Sequence, residues 1–398
     1  MSAHTPMQLS ISTKAQDGVA AMPLAQGPTP PMTPTIEDGT ASTTSATLPS
    51  PNSSSSLSSV VAVAASSPPQ FSNELEYQLD PKGRPIEFGR GAWSVVYKAF
   101  SSTRAEHPTR PITPPSSPTP ASRLVAVKSP ARRDARAVLH TEALILTRAR
   151  SVLGSEHHVV RFHGFIAESS SIVMAAVPLS LSTYIEDQAR LAQKNKTTQN
   201  MFTPVLGMAQ WHDLAKKLVA SLLWLHSNAL IMHGDIKPHN ILLQPQMSID
   251  DDTDSAGFPY EPLFADFSSA YPITTSEEST NTALTALTPP FTAPELLCVS
   301  SLSSPDVAPT PASDVFSLAV TLLAAATGDL LLYPGYNNIQ RLMMARDGHR
   351  VIDFIRSGDN CTRVPRNGLV EKIVKPAIAK DPAERISSGD WLQLAQTA

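Results

Sequence analysis

The chain has 398 residues, and its 31 Lys and Arg against 35 Asp and Glu leave a net charge of −4. That balance excludes a generally basic nucleic-acid-binding protein. Charged residues make up only 17% while prolines number 36, so part of the chain is expected to be low in complexity rather than packed. The length suits two domains, or one large enzyme domain with tails. Cys298 and Cys361 match neither a disulfide framework nor a zinc-ligand spacing, which favours a reducing compartment. Residues 1–20 lack a basic start followed by an apolar block. The apolar runs Val60–Ala65 and Val315–Ala326, the latter broken by Ser317 and Thr321, fall short of the ~20 residues a bilayer needs. The expectation is a soluble intracellular protein of cytoplasm or nucleus, with no membrane or nucleic-acid partner.

Residues 1–78 read as a disordered tail. Over 1–70 the charged residues are Lys14, Asp17, Glu37 and Asp38, amid Ser, Thr, Pro and Ala without apolar periodicity. Such a segment buries too little surface to offset its ordering entropy. It carries Thr29-Pro30, Thr33-Pro34, Ser50-Pro51 and Ser67-Pro68, acceptors for a proline-directed kinase or chance products of the composition. From about Glu74 the texture changes. Strands are expected over Ser94–Ala99 and Leu124–Val127, separated by a Pro-rich insertion at 101–123. Helical patterns dominate from Trp211; Leu214, Leu218, Leu222 and Leu225 are spaced near 3.6. Trp211, Trp224 and Trp391 belong to the core. Strands first and helices later predict an α+β, bilobal architecture. Its β-rich lobe spans about 79–177. Its helical lobe spans about 178–398, with an acidic insertion at 244–262 holding Asp250, Asp251, Asp252 and Asp254.

The chemistry-bearing residues come in order. Gly89-Arg90-Gly91-Ala92-Trp93-Ser94 precedes the first strand, and two close glycines let backbone N–H groups approach phosphate oxygens. Val125-Ala126-Val127-Lys128 ends an apolar strand in a lysine, and Glu142 sits fourteen residues later in a helical pattern. A lysine held on a phosphate needs such a carboxylate; the other reading is an edge-strand charge and a solvent-facing glutamate. In His233-Gly234-Asp235-Ile236-Lys237-Pro238-His239-Asn240, Asp235 can accept a hydroxyl proton, Lys237 can neutralise a moving phosphoryl group, and Asn240 offers a hard oxygen ligand. Asp266 in Phe264-Ala265-Asp266-Phe267-Ser268 can bind a metal. Thr288 through Glu295, Ser313-Asp314-Val315 and Lys380 through Ile386 complete the set.

In this order the motifs resemble the eukaryotic protein kinase family, from about Pro85 to Leu394, in its Ser/Thr branch. The resemblance implies ATP and Mg²⁺, and protein Ser or Thr hydroxyls as acceptors. It implies that Gly89, Arg90, Gly91, Ala92, Trp93 and Ser94 cover the ATP phosphates. Lys128 would hold the α- and β-phosphates and pair with Glu142. Val96, Ala126 and Leu242 would pack on adenine, Met174 would be the gatekeeper, and the backbones of Ala175 and Val177 would bond the base. Asp235 would be the catalytic base assisted by Lys237, with Asn240 and Asp266 on Mg²⁺. Glu295 and Arg385 would form a buried ion pair, and Asp314 would brace the catalytic loop.

Three residues depart from the family. Ser94 replaces the third loop glycine, and Ser268 replaces the glycine of D-F-G. Gly234 replaces the arginine before the catalytic Asp, which in the family receives an activation-loop phosphate. An enzyme not controlled by a single such phosphate is expected, although 266–295 contains several Ser and Thr, including Thr280 and Thr282. Two alternatives stand beside this reading. One is a pseudokinase scaffold, suggested by Ser268 and Gly234. The other is a small-molecule phosphotransferase, suggested by His-Gly-Asp and opposed by Lys237-Pro238, Ala293-Pro294-Glu295 and Arg385.

Overall fold

The protein is described by a computed structural model covering residues 67–102, 122–195, 197–198, 200–246, 257–273, 287–297, 309–333 and 337–398. Residues 1–66, the centres of the two insertions, Thr280 and Thr282 lie outside the described residues. The first lobe is built on one antiparallel sheet: β1 (Glu74–Tyr77), β2 (Glu87–Arg90), β3 (Ser94–Ser102), β4 (Arg123–Pro130), β5 (Phe162–Ile166) and β6 (Ser171–Ala175). Its order is β1-β3-β4-β6-β5, with β2 also pairing β3.

Successive strand residues face opposite sides of a sheet. Val125 and Val127 therefore join Ala99 and Val173 in a small outer cluster, covered by Phe71, Leu75, Tyr77 and Ile166. Ala126 and its neighbour Lys128 face inward with Phe162, Phe165, Ile172 and Met174. Helix α1 (Ala135–Arg150) lays Leu139, Ala143 and Leu146 on this inner face. The alternation that buries the valines on one side thus aims Lys128 at α1.

Two boundaries differ from expectation. The tail does not run to 78: Glu74–Tyr77 pairs with Ala99–Ser102, and Phe71 N donates to the Phe165 carbonyl at 2.9 Å. The four residues Glu-Leu-Glu-Tyr are too few to announce a strand, and their partner lies over twenty residues away. The insertions are also shorter than expected, because β3 extends to Ser102 and β4 begins at Arg123. Likewise β8 (Ile241–Pro245) and β9 (Tyr260–Phe264) pair from Ile241↔Phe264 to Pro245↔Tyr260.

The second lobe holds α2 (Leu181–Lys194), α3 (Met208–Trp224), the short strands β7 (Ile231–Met232) and β10 (Tyr271–Pro272), then α4 (Pro311–Thr327), α5 (Asn338–Arg346), α6 (Val351–Arg356), α7 (Leu369–Val374) and α8 (Ser388–Thr397). Every residue of α4 from Ser313 onward is buried. A helix apolar all round is a central one. Its start is set by Thr310, which accepts from Ser313 N, and its end by Gly328 at φ 77. Trp211, Trp224 and Trp391 are buried as expected. Trp211 Nε1 donates to the Leu322 carbonyl at 2.9 Å, pinning α3 to α4. No helix among the described residues is long and apolar enough to cross a membrane.

His158, between α1 and β5, ties the lobes together. Its Nδ1 lies 2.9 Å from Ser221 Oγ, and its ring stacks 4.9 Å from Trp224. Burial, helped by neighbouring His157, pulls its pKa from 6.5 to about 4. Between those values the unfolded chain binds the proton and the folded chain does not. The contribution is therefore complete above about pH 6.5 and is lost as pH falls toward 4. Thermal melting should show a lower Tm at pH 5 than at pH 7.5, and His158→Gln should lessen that dependence without abolishing it, because His163 is shifted the same way.

Candidate active site

Two clusters form where the lobes meet. In the first, Lys128 Nζ donates to both Glu142 oxygens at 2.7 Å and to Asp266 Oδ1 at 2.7 Å. Lys128 and Glu142 are buried, whereas the Asp266 side chain is 41% exposed. Glu142 Oε1 also accepts from Phe267 N at 3.1 Å. One carboxylate on α1 therefore holds the strand lysine and the segment carrying Asp266. Burial alone would lower the pKa of Lys128, but the charges of Asp266 and Glu142 outweigh it and raise it. Burial raises Glu142, reinforced by Asp266 and only partly offset by Lys128. For Asp266 burial pushes upward, yet Lys128 and a hydrogen bond from the Ser268 side chain hold it well below the usual carboxylate range. Asp266 has φ 60, a left-handed backbone that a non-glycine residue keeps only when its surroundings enforce it. Lys128 Nζ, 2.7 Å from Oδ1, fixes the carboxylate of this residue.

In the second cluster, Lys237 Nζ donates to Asp235 Oδ2 at 2.6 Å and to Thr288 Oγ1 at 3.1 Å. Thr288 Oγ1 donates to Asp235 Oδ1 at 3.1 Å. Asn240 Nδ2 donates to the Asp235 carbonyl at 2.8 Å and to Asp235 Oδ2 at 3.1 Å. Asp314, in the first turn of α4, accepts from His233 N at 2.7 Å and Gly234 N at 2.9 Å. Its Oδ2 lies 3.1 Å from His226 Nε2. The clusters are joined by the backbone: Ala265 N donates to the Asn240 carbonyl at 2.9 Å, and the His233 ring lies 4.8 Å from that of Phe267.

Gly234 has φ 76, and a Cβ there would lie 2.3 Å from the Ser269 carbonyl oxygen. The segment after Asp266 thus occupies the space a side chain at position 234 would need. The Thr288 hydroxyl and the Ser268 side chain are contacts that motif spacing marked without assigning a role.

The remaining expected positions lie on β2 to β4, β6, β8 and the helical lobe. Gly89 and Arg90 lie on β2, and Gly91 N donates to the Ser94 carbonyl at 2.8 Å, closing the turn through Ala92 and Trp93. Gly89 is exposed, and a Cβ there would meet no atom within 4 Å. Ala126 pairs with Met174 across β4 and β6. Val96 and Leu242 are half-buried against the main core. Ala175 N donates to the Arg161 carbonyl at 2.8 Å, so a bond from Ala175 to a base would use its carbonyl. Val177 follows β6 by two residues. Arg385 donates to Glu295 Oε1 at 2.8 Å and Oε2 at 2.7 Å, and also to the carbonyls of Ala312 and Ala379.

A group of three or more His, Cys, Asp or Glu able to hold a metal does not occur among the described residues. Asn240 and Asp266 suit Mg²⁺, which takes one or two protein oxygens and completes its shell with phosphate and water.

A family model described as "Protein kinase domain" matches residues 118–396. The chain therefore belongs to the protein kinase domain family. The match begins after the glycine-rich hairpin. The chain is 36% identical over 159 residues to the serine/threonine-protein kinase PknK of Mycobacterium tuberculosis, covering 39% of this chain and 11% of PknK. It is 28% identical over 215 residues to the serine/threonine-protein kinase ISR1 of Eremothecium gossypii, covering 51% of this chain and 52% of ISR1. It is 25% identical over 265 residues to U-box domain-containing protein 70 of Oryza sativa subsp. japonica, covering 65% of this chain and 26% of that protein. The chain thus spans about half, or less, of the length of these relatives.

Proposed function

We propose that this chain is an ATP-dependent protein kinase acting on Ser and Thr hydroxyls. The observation that carries this reading is the buried Lys128 held between Glu142 and Asp266, set beside Asp235 bonded to Lys237. A scaffold needs neither the cost of burying the Lys128–Glu142 pair nor a carboxylate next to a lysine. PknK and ISR1 bear the name serine/threonine-protein kinase, which agrees with the acceptor class.

In the reaction, a substrate hydroxyl oxygen attacks the γ-phosphorus of ATP and the bond to the β-phosphate oxygen breaks, releasing ADP. Asp235 takes the hydroxyl proton, and a hydroxyl entering there competes with Thr288 for Oδ1. Lys237 sets positive charge beside the transferred group. Lys128 would neutralise the nucleotide phosphates, with the Gly89–Ser94 hairpin over them. Asn240 and Asp266 would hold Mg²⁺, which when bound neutralises phosphate charge. The protein's work is positioning and electrostatics.

Control by a single activation-loop phosphate is not part of this reading. The position that carries the receiving arginine in the family is Gly234, and the Ser269 carbonyl fills its side-chain space. The test is phosphoryl transfer from labelled ATP with Mg²⁺ to generic protein substrates, followed by phosphoamino-acid analysis. Label on Ser or Thr is expected. Binding of ATP without transfer would favour a scaffold, and transfer only to small amines or alcohols would favour the small-molecule branch.

A further inference from the structure

Segment Ser67–Phe71 lies along the free edge of β5. It makes one parallel bridge, Gln70↔Phe165, with Phe165 N donating to the Pro69 carbonyl at 2.8 Å and Phe71 N to the Phe165 carbonyl at 2.9 Å. Pro68 and Pro69 have no N–H to extend the ladder. Pro68 is buried and Ser67 is exposed. Because the bridge is parallel, the segment before Gln70 runs back toward the start of β5, which Arg161 immediately precedes.

That corner of the fold is strongly basic. Arg161, Arg150 at the end of α1 and Arg123 at the start of β4 are exposed. None of the three forms an ion pair with a carboxylate among the described residues. A cavity of about 350 Å³ opens here, lined by Leu146, Arg150, Ser155, Glu156, Arg161 and Phe162, among others. His163 lies within this field: its Nε2 is buried without a hydrogen-bond partner. Burial first, then the charges of Arg123, Arg161 and Arg150, pull its pKa to about 4. The acidic group on the cavity wall, Glu156, lies 4.0 Å from His157 Nε2. On the cavity wall two guanidinium groups, Arg150 and Arg161, stand against one carboxylate, Glu156, and Arg123 adds its charge to theirs at His163.

We propose that Ser67 is a phosphorylation site for a proline-directed protein kinase, and that its phosphate is received by Arg161 and Arg150, with Arg123 alongside. Pro68 supplies the residue such a kinase selects. In the transfer, the Ser67 hydroxyl oxygen bonds the γ-phosphorus of ATP, the bond to ADP breaks, and the proton passes to the modifying enzyme's base. A phosphoserine carries a charge of about −1.5 to −2 and three strong acceptors, which guanidinium forks match bidentately. A segment held by one bridge can peel away to be modified, and the phosphate then clamps it onto β5 and the end of α1. That helix carries Glu142, so the clamp steadies the element that holds Lys128. Docking is independent of whether this chain transfers phosphate.

The experiment uses the full chain in two parts. In the first, the chain is incubated with labelled ATP and a proline-directed kinase. Label is expected at Ser67 and is lost in Ser67→Ala; absence of label at Ser67 overturns the modification. In the second, phosphoserine is installed at position 67 during synthesis and amide hydrogen exchange is followed. Exchange at Phe71 and Phe165 is expected to slow about tenfold relative to the unmodified chain. The gain should vanish in Arg150→Gln/Arg161→Gln and survive in part in Arg150→Lys/Arg161→Lys. Unchanged exchange, or an equal gain in the glutamine pair, overturns the docking. These readouts do not depend on turnover, so their failure is distinct from failure of the kinase reading.

Discussion

Asp235→Asn should lower phosphoryl transfer by about 10²- to 10⁴-fold, the usual contribution of a positioned general base. The substitution should cost little stability. Asp235 Oδ1 accepts from Thr288 Oγ1, and Oδ2 accepts from Lys237 and Asn240. An asparagine can keep its oxygen toward Lys237 and Asn240 and turn its NH₂ toward Thr288, whose hydroxyl accepts as readily as it donates. The network survives while the group able to take a proton is gone. ATP affinity should stay within a few-fold, because Lys128, Glu142 and Asp266 form a separate cluster. The check is kcat and KM for ATP with labelled nucleotide, beside a thermal melt. Transfer within about threefold of the parent would place the proton acceptor elsewhere.

Lys128 and Glu142 show how much of the site was legible in the sequence. Period-2 alternation in Val125-Ala126-Val127-Lys128 sets the lysine on the inner face. A 3.6-residue pattern around Glu142 sets the carboxylate on the helix covering that face. Both are local rules, and the two residues meet at 2.7 Å. Asp235, Lys237 and Asn240 lie within six residues and converge for the same reason.

What stayed hidden was tertiary. The docking of Ser67–Phe71 depends on β5, nearly a hundred residues away, and two prolines gave no sign of a strand. The Ser268 side chain bonding Asp266 was unreadable, since a serine in place of a glycine announces lost backbone freedom and not a new partner. Gly234 was visible only as a missing arginine. Its positive φ and the approach of Ser269 required the backbone in three dimensions.

Gly234→Ala should destabilise the protein and disable the site. An L-residue in the left-handed region costs roughly 1–2 kcal/mol. The new Cβ would lie 2.3 Å from the Ser269 carbonyl oxygen and 3.2 Å from its carbon, both backbone atoms. Relieving such overpacking costs about 1–3 kcal/mol more. The catalytic loop cannot slide away, because Asp314 holds the amides of both His233 and Gly234. The displacement therefore falls on Ser269, three residues after Asp266, which itself sits in the left-handed region at φ 60. Tm should drop by about 4 °C or more, at roughly 2 °C per kcal/mol for a domain of this size, and transfer should fall by more than tenfold. Gly234→Arg tests the regulatory corollary. It restores the cation that would receive an activation-loop phosphate, but it carries the same Cβ into the same carbonyl. Its loss should match or exceed that of Gly234→Ala, with no recovery when the activation segment is phosphorylated. An arginine variant that became more active on phosphorylation would show that the segment moves freely away from Gly234, and that the phosphate-independent reading is wrong.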